Sequence, residues 1–98
     1  MAVIFITEFA ALANVTGCNI AMMPPLAEQT VAIGAETDSN AFNAHTRFIR
    51  VHNDAICSIA IGLTPTASTT TMRLPADSIE YFAVPLNSGY KLSVITNT

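Results

Sequence analysis

The side chains able to do chemistry are few and stand apart. His45 and His52 are the two histidines, seven positions apart. On one continuous strand an odd separation puts them on opposite faces. A metal held there would need ligands converging from other strands. They read as ordinary surface or turn histidines, and no metal or other cofactor is expected. A serine nucleophile needs a base within hydrogen-bond reach and an oxyanion donor. Ser58 falls in mid-strand, Ser39 and Ser78 fall in turns, and none has a G-x-S-x-G setting. Asp54, Asp77 and Glu80 sit at turns and strand edges, where carboxylates are solvated or capping. The four glycines stand alone, so no phosphate-cradling loop is present. The chain reads as a non-enzyme.

Two cysteines, Cys18 and Cys57, are fewer than a secreted disulfide scaffold of this size carries. Cys57 lies in an apolar run and reads as a small core residue. Cys18 follows Gly17 in a loop. Two free thiols in a reducing cytoplasm are expected. The four basic residues, Arg47, Arg50, Arg73 and Lys91, are scattered, and the net charge is -3. Neutralising phosphates takes several clustered cations, so nucleic-acid binding is not expected. The apolar start, Met1 to Ala13, has no basic n-region, and Glu8 interrupts it. No stretch has the length and character of a membrane span.

The elements that must position these residues are strands. The stretch from Arg47 to Gly62 organises the chain. In Phe48 to His52, Ile49 and Val51 share one face while Phe48, Arg50 and His52 share the other. In Ile56 to Ile61, Cys57, Ile59 and Ile61 share a face. That period of two marks strands. Asn53-Asp54 breaks them with turn-tolerant residues, so the stretch predicts a β-hairpin. Its second half lacks charge and is expected to be a central, doubly covered strand.

Ala2 to Thr7 predicts the first strand. Glu8 to Asn14 either continues it or makes a helical turn. Val15 to Asn19 is a turn or loop, and Pro24-Pro25 forbids regular pairing. Gln29 to Ile33 is a short strand. Gly34 to Asn43 is an exposed polar loop from which Phe42 returns to the core. Leu63 to Thr71 is a surface loop or an extended edge strand. Met72 to Leu74, Ile79 to Val84 and Tyr90 to Thr96 complete the set, with Leu92 and Val94 inward. About seven to eight short strands with regular turns predict a single all-β domain over residues 1–98. An antiparallel β-sandwich and a jelly-roll-like barrel both fit.

Charged residues make up 11% of the chain and hydrophobic ones 51%; an average protein carries about 25% charge. A surface so poor in charge suits a subunit whose faces are covered by others. Two segments are candidate subunit contacts. Met22, Met23, Pro24, Pro25 and Leu26 form an apolar piece that cannot join a ladder, either a plug between sheets or an anchor on a neighbour. The run ending in Thr69, Thr70 and Thr71 offers backbone and hydroxyl groups on a potential edge. The N-terminal strand is a third candidate.

RVHNDAICSIAIG, a Thr/Ala-rich loop, and then MRLPADSIEYFAVPLNSGYKLSVI resemble small structural proteins of tailed bacteriophages. The resemblance covers about residues 47–95. It implies a virion protein made in the host cytoplasm: a capsid decoration (cement) subunit, a head fibre or a tail component. The partners it implies are the major capsid protein or other virion subunits, and further copies of itself. A receptor- or carbohydrate-binding β module is the alternative, weakened by the absence of Trp.

Overall fold

A computed structural model describes residues 2–97; Met1 and Thr98 lie outside the described residues. Among the described residues the chain forms ten strands, most of them on segments with period-two alternation of apolar and polar side chains. They are β1 (Val3–Phe9), β2 (Leu12–Val15), β3 (Cys18–Ala21), β4 (Ala27–Ala32) and β5 (Thr37–Asp38), followed by β6 (Phe48–Asn53), β7 (Cys57–Gly62), β8 (Met72–Leu74), β9 (Ile79–Ala83) and β10 (Lys91–Thr96). Eight of them form two four-stranded sheets, ordered β4-β1-β6-β9 and β5-β10-β7-β8. β2 and β3 pair only with each other. Every pairing is antiparallel. The all-β sandwich expectation holds, with a two-strand arm added to the expected count.

Ile4, Ile6, Ile49 and Val51 of the first sheet face Cys57, Ile59, Leu92 and Val94 of the second, all fully or almost fully buried. Phe42 returns from its loop to the same core, as its isolated apolar position predicts. Read from β4 and closed through β1, the strand order is that of a jelly roll. The N-terminal strand takes the place of a jelly roll's last strand. Ile33 N–H donates to the Ala2 carbonyl, and Thr96 N–H donates to the Gly34 carbonyl. First and last strands are thus fastened to adjacent residues.

The central hairpin is the main correction. β6 pairs with β1 and β9, and β7 pairs with β10 and β8. Asn53-Asp54 is therefore an arch between sheets. The physical reason lies in those two side chains. Asp54 Oδ1 accepts Val3 N–H at 2.8 Å. Buried Asn53 donates from Nδ2 to the Ala55 and Pro75 carbonyls and accepts from Ser78 Oγ. Asp54 binds β1 and Asn53 binds the loop between β8 and β9 instead of closing a two-residue loop. The inner faces of β6 and β7 then meet across the core. β7 is central and buried on both faces at its start, Ser58 included, as its lack of charge predicts.

The start of the chain resolves a second open choice. β1 continues through Glu8 to Phe9, with no helical turn. Glu8 is 2% exposed. Its Oε1 accepts Asn43 N–H at 2.7 Å and Thr46 Oγ1–H at 2.8 Å, and its Oε2 accepts from Gln29 Nε2 at 3.3 Å. A buried carboxylate is tolerated only with such donors. Glu8→Ala should lower unfolding free energy by about 2 kcal/mol, because it strands a part-buried backbone N–H and a buried hydroxyl. Urea denaturation checks this, with Thr7→Ala on the solvent face of the same strand expected to cost far less.

Candidate functional site

The two outer faces of the sandwich differ. On the second sheet, Ser58 and Ser93 point away from the core yet are fully buried. Ser93 Oγ donates to Glu36 and accepts Ala67 N–H, while Asn97 Nδ2 donates to Ser58 Oγ and to the Thr69 carbonyl. Loops therefore close this face. On the first sheet, the cross-strand rows place Phe5, His52 and Ile79 together, then Thr7, Arg50 and Tyr81, then Phe9, Phe48 and Ala83. Phe9 stacks on Phe48 at 5.0 Å, and Phe5 on His52 at 6.0 Å. Phe5, Ile79 and Tyr81 are between 42% and 58% exposed. This face is aromatic, closed at Phe9 and open at Phe5, Ile79 and Tyr81.

The β2–β3 arm stands beside it. β1 and β4 are antiparallel neighbours, so a short turn would suffice to join them; instead the chain makes an excursion through a second hairpin. Thr16 and Gly17 both take positive φ at its tip, and Asn14 Oδ1 accepts Gly17 N–H. The arm has no core of its own. From Phe9 to Ala27 there is no charged residue, yet Leu12, Val15 and Ile20 are each at least half exposed. Leu12 and Ile20 face Phe48 and Tyr81 across a cleft of about 650 Å³ whose one charge is Arg47.

Of the sequence-predicted contacts, Met22, Met23 and Leu26 are exposed, Met23 the most at 66%. Pro24 is exposed and Pro25 half-buried. These residues form the return from arm to β4, held by Met22 N–H on the Ala11 carbonyl and Leu26 N–H on the Glu8 carbonyl. Met22 to Pro25 do not plug the space between the sheets. Thr69 and Thr70 are exposed and Thr71 half-buried, in a turn closed by Thr71 on the Ser68 carbonyl. Of the two readings of this run the loop is right, and β8 is the edge strand beside it. The two segments lead into different sheets and do not form one site. The N-terminal strand lies between β4 and β6, so only its outer face is free. The arm and the aromatic face were not identified from sequence. The uncharged run was a signal for the arm, whereas the face needed the strand order.

The groups with chemical potential stay apart. His52 Nε2 lies 4.0 Å from Asp77 Oδ1, with the carboxylate largely in solvent. His45 is exposed in the loop before β6. Among the described residues no group of three or more His, Cys, Asp or Glu converges, and no helix is long and apolar enough to cross a membrane. Cys18 is exposed and Cys57 buried, both free thiols. Burial pushes the Cys57 thiol above its ordinary pKa. The surface suits binding by apolar and aromatic contact. No protein-family model, curated protein or solved structure matches the chain.

Two outcomes follow from this geometry. Replacing residues 10–25 with Asn-Gly should leave a cooperatively unfolding β protein by circular dichroism, because the sandwich strands are all retained. In thiol labelling at neutral pH, Cys18 should react at once and Cys57 only on unfolding. The folded state keeps the Cys57 proton to higher pH than the unfolded chain does. Stability should therefore be unaffected at neutral pH and fall as pH rises past about 8.5, the ordinary thiol pKa; urea midpoints across that range check it.

Proposed function

We propose that the chain is a non-enzymatic virion structural protein, a capsid decoration (cement) subunit that bridges and stabilises neighbouring capsid subunits. The observation that carries this reading is the uncharged arm with its return, Phe9 to Ala27, holding six large apolar side chains at 40–66% exposure. An isolated hairpin is marginal in water, and apolar surface held out in this way marks a protein interface. The resemblance of residues 47–95 to small phage structural proteins supports the same reading. The cement mechanism asks little of each contact. Interfaces of about 800 Å² per partner are standard, and repetition around a lattice multiplies weak binding into avidity. Arm and return would lie on a neutral patch of the major capsid protein, with Met23 as the deepest anchor.

The arm's polar tip, with Asn14, Thr16 and Asn19, favours a protein partner over a bilayer. A second reading, a receptor- or carbohydrate-binding module on a head fibre or tail, draws on Phe48 and Tyr81 beside Arg47 in the cleft. Aromatic rings beside one cation would suit a sugar.

Met23→Asp should reduce occupancy on particles at least tenfold while leaving the circular dichroism of the free chain unchanged, since burying a lone carboxylate is costly. Quantitative mass spectrometry of purified particles measures occupancy. Unchanged occupancy would remove the anchor, and absence of the chain from particles would remove the virion reading. Glycan-array binding lost with Tyr81→Ala would favour the second reading.

A further inference from the structure

β9 is an edge strand guarded by a single charge, Glu80, which its register with buried Val51 sets on the core-facing side of the sheet. It ends the β4-β1-β6-β9 sheet, and Ile79–Ala83 contains no Pro, Lys or Gly. Natural edges are blunted by such residues, by bulges or by covering loops. The far side of the sandwich has that closure: Gln29 on β4 bonds both the N–H and the carbonyl of Asn40, in the loop after β5. On the β9 side the seam between sheets is an open apolar cleft, lined by Ile59, Met72, Phe82 and Tyr90 among others. Met72 is 52% exposed there.

The ladder fixes which backbone groups are free. Val84 N–H donates to the Arg47 carbonyl, and Phe48 pairs with Ala83. Ala83 is thus in a non-hydrogen-bonded pair with β6, and the alternation of an antiparallel ladder assigns the same state to Tyr81 and Ile79. Their N–H and C=O groups point to the open edge. These are three donors and three acceptors, evenly spaced and centred on Tyr81.

We infer that β9 pairs antiparallel with β9 of a second copy, about a two-fold axis through Tyr81, joining two four-stranded sheets into one of eight strands. Three features of the strand select a copy of itself as the occupant. First, this register brings Tyr81 against Tyr81 and Ile79 against Ala83, so all six free groups are used. Second, it sets Glu80, the one charge in β9, opposite Phe82, and so keeps the two carboxylates apart; like charges directly opposite destabilise a ladder. A two-fold through Phe82 would instead put Pro85 opposite Ile79, where no donor is available. Third, the apolar surface fits. Ile79, Tyr81 and Met72 are each at least half exposed, and Leu12 and Ile20 of the arm flank Tyr81. Together with the strand backbone these side chains line the β9 edge on both of its faces. An isologous contact of this kind closes on itself, so it gives a dimer and not a fibre.

The pairing is independent of the virion reading, because it is tested on the purified chain alone. Opposed Cα atoms in a hydrogen-bonded pair lie about 5.5 Å apart, within disulfide reach. In a Cys18→Ser background, Tyr81→Cys should form a disulfide-linked dimer under mild oxidation. Ile79→Cys alone and Ala83→Cys alone should stay largely uncrosslinked, and a mixture of the two should give the mixed dimer. Sedimentation velocity should show the unmodified chain as a dimer, and Tyr81→Lys, which sets two cations face to face, as a monomer with unchanged circular dichroism. A monomeric unmodified chain at high micromolar concentration would overturn the inference. So would a Tyr81→Cys chain that fails to crosslink, or an Ile79→Cys chain that crosslinks as fast.

Discussion

The sandwich depends on one buried carboxylate. Glu8 sits near the end of a central strand, where alternation turns its side chain inward with Ile4 and Ile6. An ion in that position must collect donors or be expelled. It collects them from two places the chain must bring together: Gln29 on the neighbouring strand, and the Asn43–Thr46 segment that carries the chain back to β6. Gln29 then brackets Asn40. One side chain thereby fixes the path of the loop that returns from the second sheet to the first. Among the described residues, no buried side-chain nitrogen or oxygen lacks a partner. The polar cost of the core is met in full, and its apolar part can be small.

That economy explains the placement of charge. Charged residues are absent from two long runs, Phe9 to Ala27 and Ala55 to Met72. The second run needs none, since it is a doubly buried strand followed by a hydroxyl-rich loop that caps the outer serines of its own sheet. The first run has no such reason. Its large side chains from Leu12 to Leu26 are in solvent, beside a face on which Phe5 and Tyr81 are also exposed. The same composition therefore means core in one half of the chain and exposed apolar surface in the other.

Much of this was legible from residue order. The strand positions of β1, β4, β6 to β10, the inward Leu92 and Val94, and the return of Phe42 all follow from period-two alternation. The pairing of β6 with β7 did not. Two apolar runs separated by Asn-Asp satisfy the local rule for a hairpin. Whether the turn closes or arches depends on what Asn53 and Asp54 bind, and their partners, Val3, Pro75 and Ser78, are distant in sequence. Nor did the arm stand out, because Leu12 to Ala21 lacks clean alternation. The apolar side chains at Met22 to Leu26 were visible as a candidate contact, but the arm they belong to was not.

An arm without a core and an edge guarded by one carboxylate are liabilities in a free monomer. Each invites association, and an exposed edge invites the wrong kind. The chain spends polar groups generously elsewhere: Ser93, Ser58 and Asn97 close one outer face, and Gln29 closes one seam. Closing β9 would take a single Lys or Pro at an outward position. The devices are used where the sandwich is finished and omitted along one continuous side, where arm, cleft, aromatic face and β9 edge adjoin. Random neglect would scatter such gaps over the surface. Their concentration on one side sets that side apart from the rest of the surface.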